Sequence, residues 1–437
     1  VIAQVDTDSR SIRPGSLFIP LEGERFDAHA FIPDALDAGA AGCLTARVRE
    51  TDRPGKFYIK VESTQRALRD LARWYRGQFD IPVIAVTGSV GKTTTKDMVA
   101  AVLGERWQVL KTEGNFNNNI GLPLTVLRLD RTVEMCVLEM GMNHAGEIDY
   151  LADIARPDVA LITNIGDCHI EYLGSREGIF RAKCEVFGHM DDKGVAILNG
   201  DDELLATLRG ALPMETVFTG MGSGLDYTAR DIETDGEGRL SCSIRTPKAQ
   251  FQADIPALGG HMIYPTLMAA AVAEHFGMAA DEILQGIRAF LPTKMRMNVV
   301  RCPGDFIILD DAYNANPQSM RAAATVLRDV PGARKVAVVG DMMELGDNSQ
   351  QFHYAVGECF GELGADCVIA VGQLAAAIAE GAREGGVARV LHFESLEEAM
   401  GTICGCLAPG TVILVKASRA MHFEKIVIAL ADAANRA

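Results

Sequence analysis

The sequence predicts an α/β protein of three domains in which helices alternate with buried parallel strands. The chain has 437 residues, of which 48% are hydrophobic, enough for several cores. Short apolar runs at 82–86, 135–139, 159–164 and 195–199 alternate with helical stretches. This pattern is typical of a parallel sheet covered on both faces. A second alternation of the same kind follows residue 298.

The first predicted domain, residues 1–80, is a small mixed unit. Runs at 17–19 and 56–61 have strand character, and stretches 32–38 and 64–77 carry apolar residues at helical spacing. Two polar segments, 8–10 and 23–29, separate these elements, and by themselves they indicate solvated turns.

The central predicted domain, residues 81–297, opens with a candidate phosphate-binding loop. A buried strand runs into Gly88-Ser89-Val90-Gly91-Lys92-Thr93, and the residues that follow have helical spacing. In a strand–loop–helix unit of this kind, backbone amides face a phosphate, and the Lys92 ammonium and Thr93 hydroxyl can serve the outer phosphates and Mg²⁺. The loop has the short Gly-x-x-Gly-Lys-Thr form, with Val86 where longer P-loops have glycine. An ordinary tight turn is the alternative. The interpretation we favour is a P-loop ATPase-like sheet.

Further polar residues follow the other central strands. Glu139 ends one apolar run, and His169 follows another through the segment 164–169. Ligands gather at the carboxyl ends of parallel strands, so a carboxylate and an imidazole here predict a nucleotide–Mg²⁺ site. Alternating runs at 240–244 and 251–255 predict antiparallel edge strands, before helices at 264–276 and 280–290.

The third predicted domain, residues 298–437, has strands at 306–309, 335–339, 367–371 and 412–415. It contains no Gly-x-Gly-x-x-Gly, so its sheet is predicted to be Rossmann-like in shape but without the dinucleotide fingerprint. We expect hinges near residues 80 and 297 that close on ATP.

Charge and cysteine content exclude several classes of function. The net charge of −16 argues against non-specific nucleic-acid binding and gives no support for an anionic membrane surface. No apolar run approaches the roughly 20 residues of a membrane span. The ten scattered cysteines indicate free buried thiols in a reducing cytoplasm. A monomer is the default expectation.

Longer motifs resemble those of the Mur ligases of bacterial peptidoglycan synthesis, over essentially the whole chain. The matching stretches lie at 8–10, 114–125, 139–143, 163–174, 181–185, 310–317, 340–346 and 416–419. The asparagine-rich run at 114–119 and the run Asp311-Ala312-Tyr313-Asn314-Ala315-Asn316-Pro317 are similar to those of the branch that adds D-alanyl-D-alanine to UDP-N-acetylmuramoyl-tripeptide.

The resemblance implies an ATP-dependent amide ligase with Mg²⁺, two ions by analogy. A peptide carboxylate on the UDP-sugar attacks the γ-phosphate of ATP, and the amine of D-alanyl-D-alanine then attacks the acyl phosphate. A carboxylate is a poor electrophile, and phosphorylation converts its oxygen into a leaving group. The acyl phosphate must be kept from water, which favours a site that closes.

The resemblance also implies roles for individual residues. Catalytic roles fall on Lys92, Glu139, His169 and Lys183, and metal ligation on Thr93, Glu139 and His169. Lys183 resembles a lysine that some Mur ligases carry as a carbamate, and an unmodified lysine is the equal alternative. ATP contacts are Gly88, Ser89, Val90, Gly91, Lys92, Thr93, Thr94, Arg296 and Asp311. Contacts to the UDP-sugar are Ser9, Arg10, Asp27 and His29. Contacts to the muramoyl peptide are Asn115, Asn117 and Asn118. Contacts to the amine substrate or the nucleotide are Tyr313, Asn314, Asn316, Lys416 and Arg419.

Several positions depart from the family pattern. Met262 and Pro265 replace asparagines that help form the adenine pocket in relatives, Ala417 replaces a glycine, and Asn119 replaces an acid. The alternative functions are another Mur ligase or a folylpolyglutamate-type ligase, and, from a different class, a P-loop nucleotide switch. Folate enzymes tend to have Gly-Lys-Gly after the turn, whereas this chain has Gly91-Lys92-Thr93-Thr94.

Overall fold

Three β-sheets organise the residues that the computed structural model describes, which are 2–23, 26–47, 53–235 and 238–435. Glu24 and Arg25, within the polar segment 23–29, lie outside the described residues. Over the described ranges, no helix is both long and apolar enough to cross a membrane.

The N-terminal sheet is parallel, with the order β1-β2-β3-β4. Its elements are β1 (Val5–Asp6), β2 (Leu17–Phe18), α1 (Ile32–Asp37), β3 (Gly42–Thr45), β4 (Phe57–Lys60) and α2 (Thr64–Arg76). Phe18, Ala35 and Cys43 form part of a small core under α1. Helix α2 begins at Ser63, whose hydroxyl accepts a hydrogen bond from the Arg66 amide, the usual N-cap arrangement. The two predicted helices are confirmed, whereas β1 and β3 were missed because, unlike 17–19 and 56–61, they do not lie in runs of large apolar or β-branched residues.

The central region supplies the longest run of elements. They are β5 (Val83–Thr87), α3 (Lys92–Gly104), β6 (Val109–Lys111), α4 (Gly121–Val126), β7 (Met135–Glu139), α5 (Glu147–Ala155), β8 (Val159–Ile162), α6 (Ile170–Leu173), α7 (Arg176–Cys184), β9 (Val195–Asn199), α8 (Glu203–Ala206), β10 (Glu215–Gly220), β11 (Tyr227–Thr234), β12 (Arg239–Arg245), β13 (Gln250–Leu258), α9 (Ile263–His275) and α10 (Ala280–Ala289). Every residue of β5 and β7 is buried, as expected for strands covered on both faces.

The C-terminal region forms a sheet of its own with the order β14-β15-β19-β16-β17-β18. Its elements are β14 (Asn298–Cys302), β15 (Phe306–Asp310), α11 (Pro317–Asp329), β16 (Arg334–Gly340), α12 (Ser349–Glu362), β17 (Cys367–Val371), α13 (Ala375–Glu384), β18 (Arg389–Phe393), α14 (Leu396–Cys404), β19 (Thr411–Lys416) and α15 (Glu424–Ala434). All strand pairs are parallel except the edge pair β14–β15. The strand at β14 was not predicted, because its apolar run is interrupted by Arg301.

By their contacts the residues form two units, which we describe separately. The first unit takes in the described residues up to 86, then 107–160 and 184–194, and within it β6, β7 and most of β5 pair in parallel in that order. The second unit comprises 87–106, 161–183 and the chain from 195 onward. Within it β9, β10 and β11 are parallel, and β12 and β13 add antiparallel edge strands. The predicted α/β class and antiparallel edge are confirmed. The predicted domain boundaries at 80 and 297 stay a prediction.

Candidate active site

The glycine loop of the second unit has the geometry of a phosphate cradle. Gly91 adopts φ 85° at the N-cap of α3, and Gly88 adopts φ 143°, a conformation that L side chains rarely take. A Cβ at Gly88 would also overlap the hydroxyl of Thr163. Helix α3 starts at Lys92, so the amides of Lys92, Thr93 and Thr94 lie in the first turn, where no intrahelical acceptor exists. Such a helix start favours an anion.

The segment that follows β8 holds this loop in place. Asn164 accepts hydrogen bonds from the Ser89 amide through its carbonyl oxygen (3.0 Å) and from the Val90 amide through Oδ1 (2.9 Å). The hydroxyl of Thr163 and the Nδ2 of Asn164 both donate to the Val90 carbonyl, at 2.6 and 3.0 Å. The amides of Ser89 and Val90 are therefore engaged within the protein. Their predicted contact with phosphate stays a prediction and would require these bonds to be exchanged.

Two polar side chains contact loop carbonyls, and a buried lysine acts on one of them. The Lys92 ammonium donates to the Gly88 carbonyl at 2.8 Å, and the Cys168 thiol lies 3.6 Å from the Ser89 carbonyl oxygen. Burial raises the pKa of the Cys168 thiol, while the charges of Lys92 and Lys183 act in the opposite direction. Lys183 is only 1% exposed. The structure thus brings Lys92 and Lys183 within electrostatic reach of one thiol.

His169 meets a carboxylate that the sequence did not assign. Its Nδ1 lies 2.6 Å from the Oε2 of Glu344. Both residues adopt a left-handed backbone conformation, with φ 64° for His169 and φ 62° for Glu344. Such conformations are uncommon outside glycine and concentrate at functional sites. The motif at 340–346, which contains Glu344, is the sequence signal for this contact.

Glu139, in the first unit, is a buried carboxylate with one oxygen engaged. It is 2% exposed, and its Oε1 accepts a hydrogen bond from the Asn117 side-chain amide at 2.7 Å. Its Oε2 is buried and has no hydrogen-bond partner among the residues that the structure describes. The Glu139 amide donates to the Thr112 hydroxyl at 2.9 Å, which fixes the end of β7. An orphaned buried carboxylate oxygen fits a cation ligand.

A second buried carboxylate, Asp311, is fully engaged. The Lys416 ammonium donates to Asp311 Oδ2 at 2.5 Å and to the Asn314 carbonyl at 2.8 Å, and the Met297 amide donates to Asp311 Oδ1 at 3.1 Å. Burial lowers the pKa of Lys416, and the Asp311 charge opposes that shift. The structure therefore shows Lys416 and Asp311 organising the loop after β15.

The aromatic ring of Tyr313 lies close to two guanidinium groups. The Arg296 guanidinium stacks 4.1 Å from the ring centroid and that of Arg419 lies at 5.9 Å. Cation–π contacts of this kind hold planar guanidinium groups in fixed orientations. Three residues predicted from separate parts of the sequence are thus brought together.

The neighbouring asparagines shape the backbone. Asn316 caps α11 by accepting from the Ser319 amide at 2.8 Å, and Asn314 Oδ1 accepts from the Ala315 amide at 2.9 Å. Gln318, on the first turn of α11, was missed by the sequence analysis. A Cβ at Gly166 would approach Gln318 Oε1 to 2.5 Å, so Gln318 reaches the segment that holds the phosphate loop. Its only signal in the sequence is its place directly after Pro317.

Comparison with known proteins identifies the family. Three family models match in succession: "Mur ligase family, catalytic domain" over residues 1–76, "Mur ligase middle domain" over 86–273 and "Mur ligase, glutamate ligase domain" over 295–419. A UDP-N-acetylmuramoyl-tripeptide–D-alanyl-D-alanine ligase of Bacillus subtilis is 42% identical, over 98% of this chain and 93% of the relative. The chain belongs to the Mur ligase family.

Other Mur ligases are similar to this chain in sequence or structure over nearly its full length. The Escherichia coli relative of the same name is 37% identical, over 98% of this chain and 93% of its own. A crystal structure of MurF from Acinetobacter baumannii is similar with a TM-score of 0.91 and 36% identity, covering 99% and 94% of the two chains. The structure of a MurF ligase from Thermotoga maritima in complex with ADP has a TM-score of 0.88 and 31% identity, covering 99% and 98%.

The N-terminal residues predicted to contact the UDP-sugar differ in exposure in this Mur ligase. Arg10 is 88% exposed and pairs with Asp8 at 2.7 Å, and Ser9 lies on the same 3-10 turn. The hydrogen bonds from Arg10 lower the pKa of Asp8 to about 2. His29 is buried, with Nδ1 2.7 Å from Asp27 Oδ1 and Nε2 accepting from the Ala46 amide. Arg10 is available to a ligand, whereas His29 and Asp27 hold their own loop.

Unlike Asn117, which binds the Glu139 carboxylate, Asn115 and Asn118 make their hydrogen bonds to the backbone of their own loop. Asn118 Oδ1 accepts from the Ile120 and Gly121 amides, at 3.2 and 2.9 Å, at the start of α4. Asn115 is exposed and accepts the Asn117 amide through its carbonyl at 2.7 Å. Within the described ranges, no group of three or more His, Cys, Asp or Glu side chains could hold a metal ion.

Proposed function

We propose that the chain is an ATP-dependent ligase that joins D-alanyl-D-alanine to UDP-N-acetylmuramoyl-tripeptide, with release of ADP and phosphate. The observation that carries this proposal is the near full-length match to ligases of that name, at 42% and 37% identity. The phosphate loop at the start of α3 and the similarity to a MurF ligase in complex with ADP support the use of ATP.

The reaction balances in two steps. A carboxylate oxygen of the tripeptide attacks the γ-phosphorus, the bond between that phosphorus and the bridging oxygen breaks, and ADP leaves with the electron pair. The dipeptide amine then attacks the acyl carbon, the carbon–oxygen bond to phosphate breaks, and the amine loses one proton. Phosphoryl transfer needs mainly positioning and charge neutralisation, which a cradle of amides and lysine supplies.

In this proposal Lys92 and the first-turn amides of α3 bind the outer phosphates. The Lys92 ammonium lies over the loop, 2.8 Å from the Gly88 carbonyl oxygen, at the end of the helix where a phosphate is expected. Lys92 and Lys183 both lie within electrostatic reach of the Cys168 thiol. A carbamate on Lys183 would make it a ligand for Mg²⁺, and an unmodified ammonium would pair with phosphate instead.

Metal ligation is assigned to Thr93, Glu139 and His169. The fit is best supported at Glu139, whose buried Oε2 has no hydrogen-bond partner among the described residues. His169 would contribute a ring nitrogen, and its Nδ1 is buried 2.6 Å from the Glu344 carboxylate without a hydrogen bond among the described residues. Bound Mg²⁺, two ions by analogy with the family, would neutralise phosphate charge.

We assign the acceptor side to the cluster around Tyr313. The Lys416 ammonium is already engaged with Asp311 and Asn314. Arg419 is therefore the better candidate for the dipeptide carboxylate, and the guanidinium fork matches a carboxylate in shape. Arg296, stacked on the same ring, is assigned to the nucleotide. We place the reaction in the bacterial cytoplasm, where ATP is available and where all ten cysteines can stay free, as they are here.

The deciding experiment measures phosphate release from ATP while each substrate is omitted in turn. We expect release only with both UDP-N-acetylmuramoyl-tripeptide and D-alanyl-D-alanine, together with an amide product of the summed mass less water. Lys92→Ala should lower kcat by about 100- to 1,000-fold, whereas Lys425→Ala, an exposed lysine on α15, serves as the matched control.

Other outcomes would replace the proposal. Release that requires a different amino acid would move the chain to a sister ligase of the Mur or folylpolyglutamate type. Release without either substrate would indicate a nucleotide switch.

A further inference from the structure

The contact between Asn117 and Glu139 is unusual for a buried carboxylate. Glu139 is 2% exposed, yet its hydrogen-bonding side-chain partner is a neutral amide and not a cation. The amide holds Oε1 at 2.7 Å, and Oε2 has no hydrogen-bond partner in the part of the chain that the structure describes. A buried carboxylate satisfied on one oxygen alone is costly unless a cation binds the other.

Asn117 is itself held rigidly against the end of β7. Its carbonyl accepts the Gly141 amide at 2.8 Å, and its own amide donates to the Asn115 carbonyl at 2.7 Å. A Cβ at Gly141 would lie 3.0 to 3.1 Å from the side-chain amide atoms of Asn117. The glycine therefore leaves room for the Asn117 side chain to lie flat beside the strand end and reach Glu139.

We propose that Asn117 is a positioning residue that fixes Glu139 so that only Oε2 is presented to a divalent cation. This inference rests on the proposed function, which assigns Glu139 to the metal. It replaces the expectation that Asn117 contacts the muramoyl peptide through its side chain. The hydrogen bond to Oε1 makes the carboxylate a one-oxygen ligand, which suits the small, strictly octahedral Mg²⁺.

A consequence concerns the choice between metals. Without the Asn117 amide, the Glu139 carboxylate can rotate and offer both oxygens. Ca²⁺ often binds both oxygens of a carboxylate, at longer metal–oxygen distances, and it tolerates irregular geometry. Loss of Asn117 should therefore weaken binding of Mg²⁺ and Mn²⁺ more than binding of Ca²⁺.

The test is titration of the full-length protein with Mn²⁺ in the presence of ADP, followed by electron paramagnetic resonance of free Mn²⁺. Asn117→Ala and the volume-conserving Asn117→Leu should raise the Mn²⁺ Kd by about 10- to 100-fold, the usual effect of losing a residue that orients a metal ligand. The matched control is Asn119→Ala, an exposed asparagine of the same loop, which should leave the Mn²⁺ Kd unchanged. Thermal unfolding of each variant shows that it is folded.

A double-variant cycle shows whether Asn117 acts through Glu139. In a Glu139→Gln background, Asn117→Ala should cause little further change in Mn²⁺ Kd, since two residues that act on one ligand are not additive. Competition with Ca²⁺ should show that the ratio of Mn²⁺ to Ca²⁺ affinity falls in Asn117→Ala.

Two results would overturn the inference, and a third concerns the proposed function. An unchanged Mn²⁺ Kd with a raised KM for UDP-N-acetylmuramoyl-tripeptide would make Asn117 a substrate contact. Equal effects of Asn117→Ala with and without Glu139→Gln would mean that it acts independently of the carboxylate. If the wild-type protein with ADP bound no Mn²⁺ at all, the metal role itself would fail.

Discussion

Two buried carboxylates at strand ends, Glu139 and Asp311, have opposite surroundings. Asp311 follows β15 and has both oxygens engaged, one by the Lys416 ammonium and one by the Met297 amide. Glu139 ends β7 and has one oxygen bound by the Asn117 amide and the other without a hydrogen-bond partner among the described residues. Both positions carry an acid at the carboxyl end of a parallel strand, where ligands are expected.

The difference separates a carboxylate whose charge is compensated within the fold from one whose charge needs a bound cation. The charge of Asp311 is compensated within the fold, so Asp311 and Lys416 stabilise the loop they join. Among the described residues, Glu139 has a neutral amide as the side-chain hydrogen-bond partner of one oxygen and no such partner for the other, so its charge lowers stability until a cation binds. Sequence position alone does not distinguish the two, and the predictions below test the distinction by changing one group at a time.

The largest effect is expected from Lys416→Met. Removal of the ammonium leaves Asp311 charged and buried, which should lower the free energy of unfolding by about 3–5 kcal/mol. Urea denaturation measures the change. The double variant Asp311→Asn with Lys416→Met should recover much of the loss. Near wild-type stability in Lys416→Met, with a raised KM for D-alanyl-D-alanine, would instead make Lys416 a substrate contact.

Both ring nitrogens of His353 have hydrogen-bond partners, one of them in the motif at 340–346. Its Nε2 accepts from the Met342 amide at 2.8 Å and its Nδ1 lies 2.7 Å from the Ser349 carbonyl oxygen, so the ring is neutral. Burial lowers the pKa of His353 below its usual 6.5. Because the folded-state pKa is depressed, its contribution to stability is complete above about pH 6.5 and is lost as the pH falls through the folded pKa.

The pH dependence can be measured by urea denaturation between pH 7.5 and 5.5. This single group can contribute at most about 1.4 kcal/mol per pH unit to the slope. His353→Gln should be less stable at pH 7.5 and should lose that part of the slope. An identical slope in wild type and His353→Gln would show that other groups cause it.

Glu139→Gln should raise the free energy of unfolding, whereas Lys416→Met should lower it. Glu139→Gln removes a buried charge that the fold does not compensate, so the metal-free protein should gain about 1 kcal/mol in free energy of unfolding. The same variant should bind Mn²⁺ with a raised but still measurable Kd and should lose ligase activity. Denaturation with a chelator present gives the stability, and a loss of stability in Glu139→Gln would mean that Glu139 is as well compensated as Asp311.

The smallest change in stability is expected from Arg10→Ala, which removes the exposed ion pair between Arg10 and Asp8. Arg10 is 88% exposed, and exposed pairs add little to stability, so the melting temperature should not change. The pKa of Asp8, held at about 2, should rise towards its usual 3.8, as NMR titration would show. A raised KM for the UDP-sugar substrate would support the predicted contact, and an unchanged KM would refute it.

Much of the architecture was accessible from the sequence. The fully apolar runs at β5 and β7 predicted buried parallel strands, and the glycines at 88 and 91 predicted the loop that opens α3. Short strands such as β6 and β14 were missed, because three to five residues with mixed polarity carry too little periodicity to be recognised.

By itself, then, the sequence determined the fold class, the phosphate loop and the polar residues at strand ends, because each depends on neighbours within a few residues. Only the tertiary structure decided which partner each polar group meets. Asn117 and Glu139 are 22 residues apart, and Asp311 and Lys416 are 105 apart. Such pairs are set by strand order and loop conformation, which local patterns do not encode. That is why two acids with the same position relative to their strands have different chemistry.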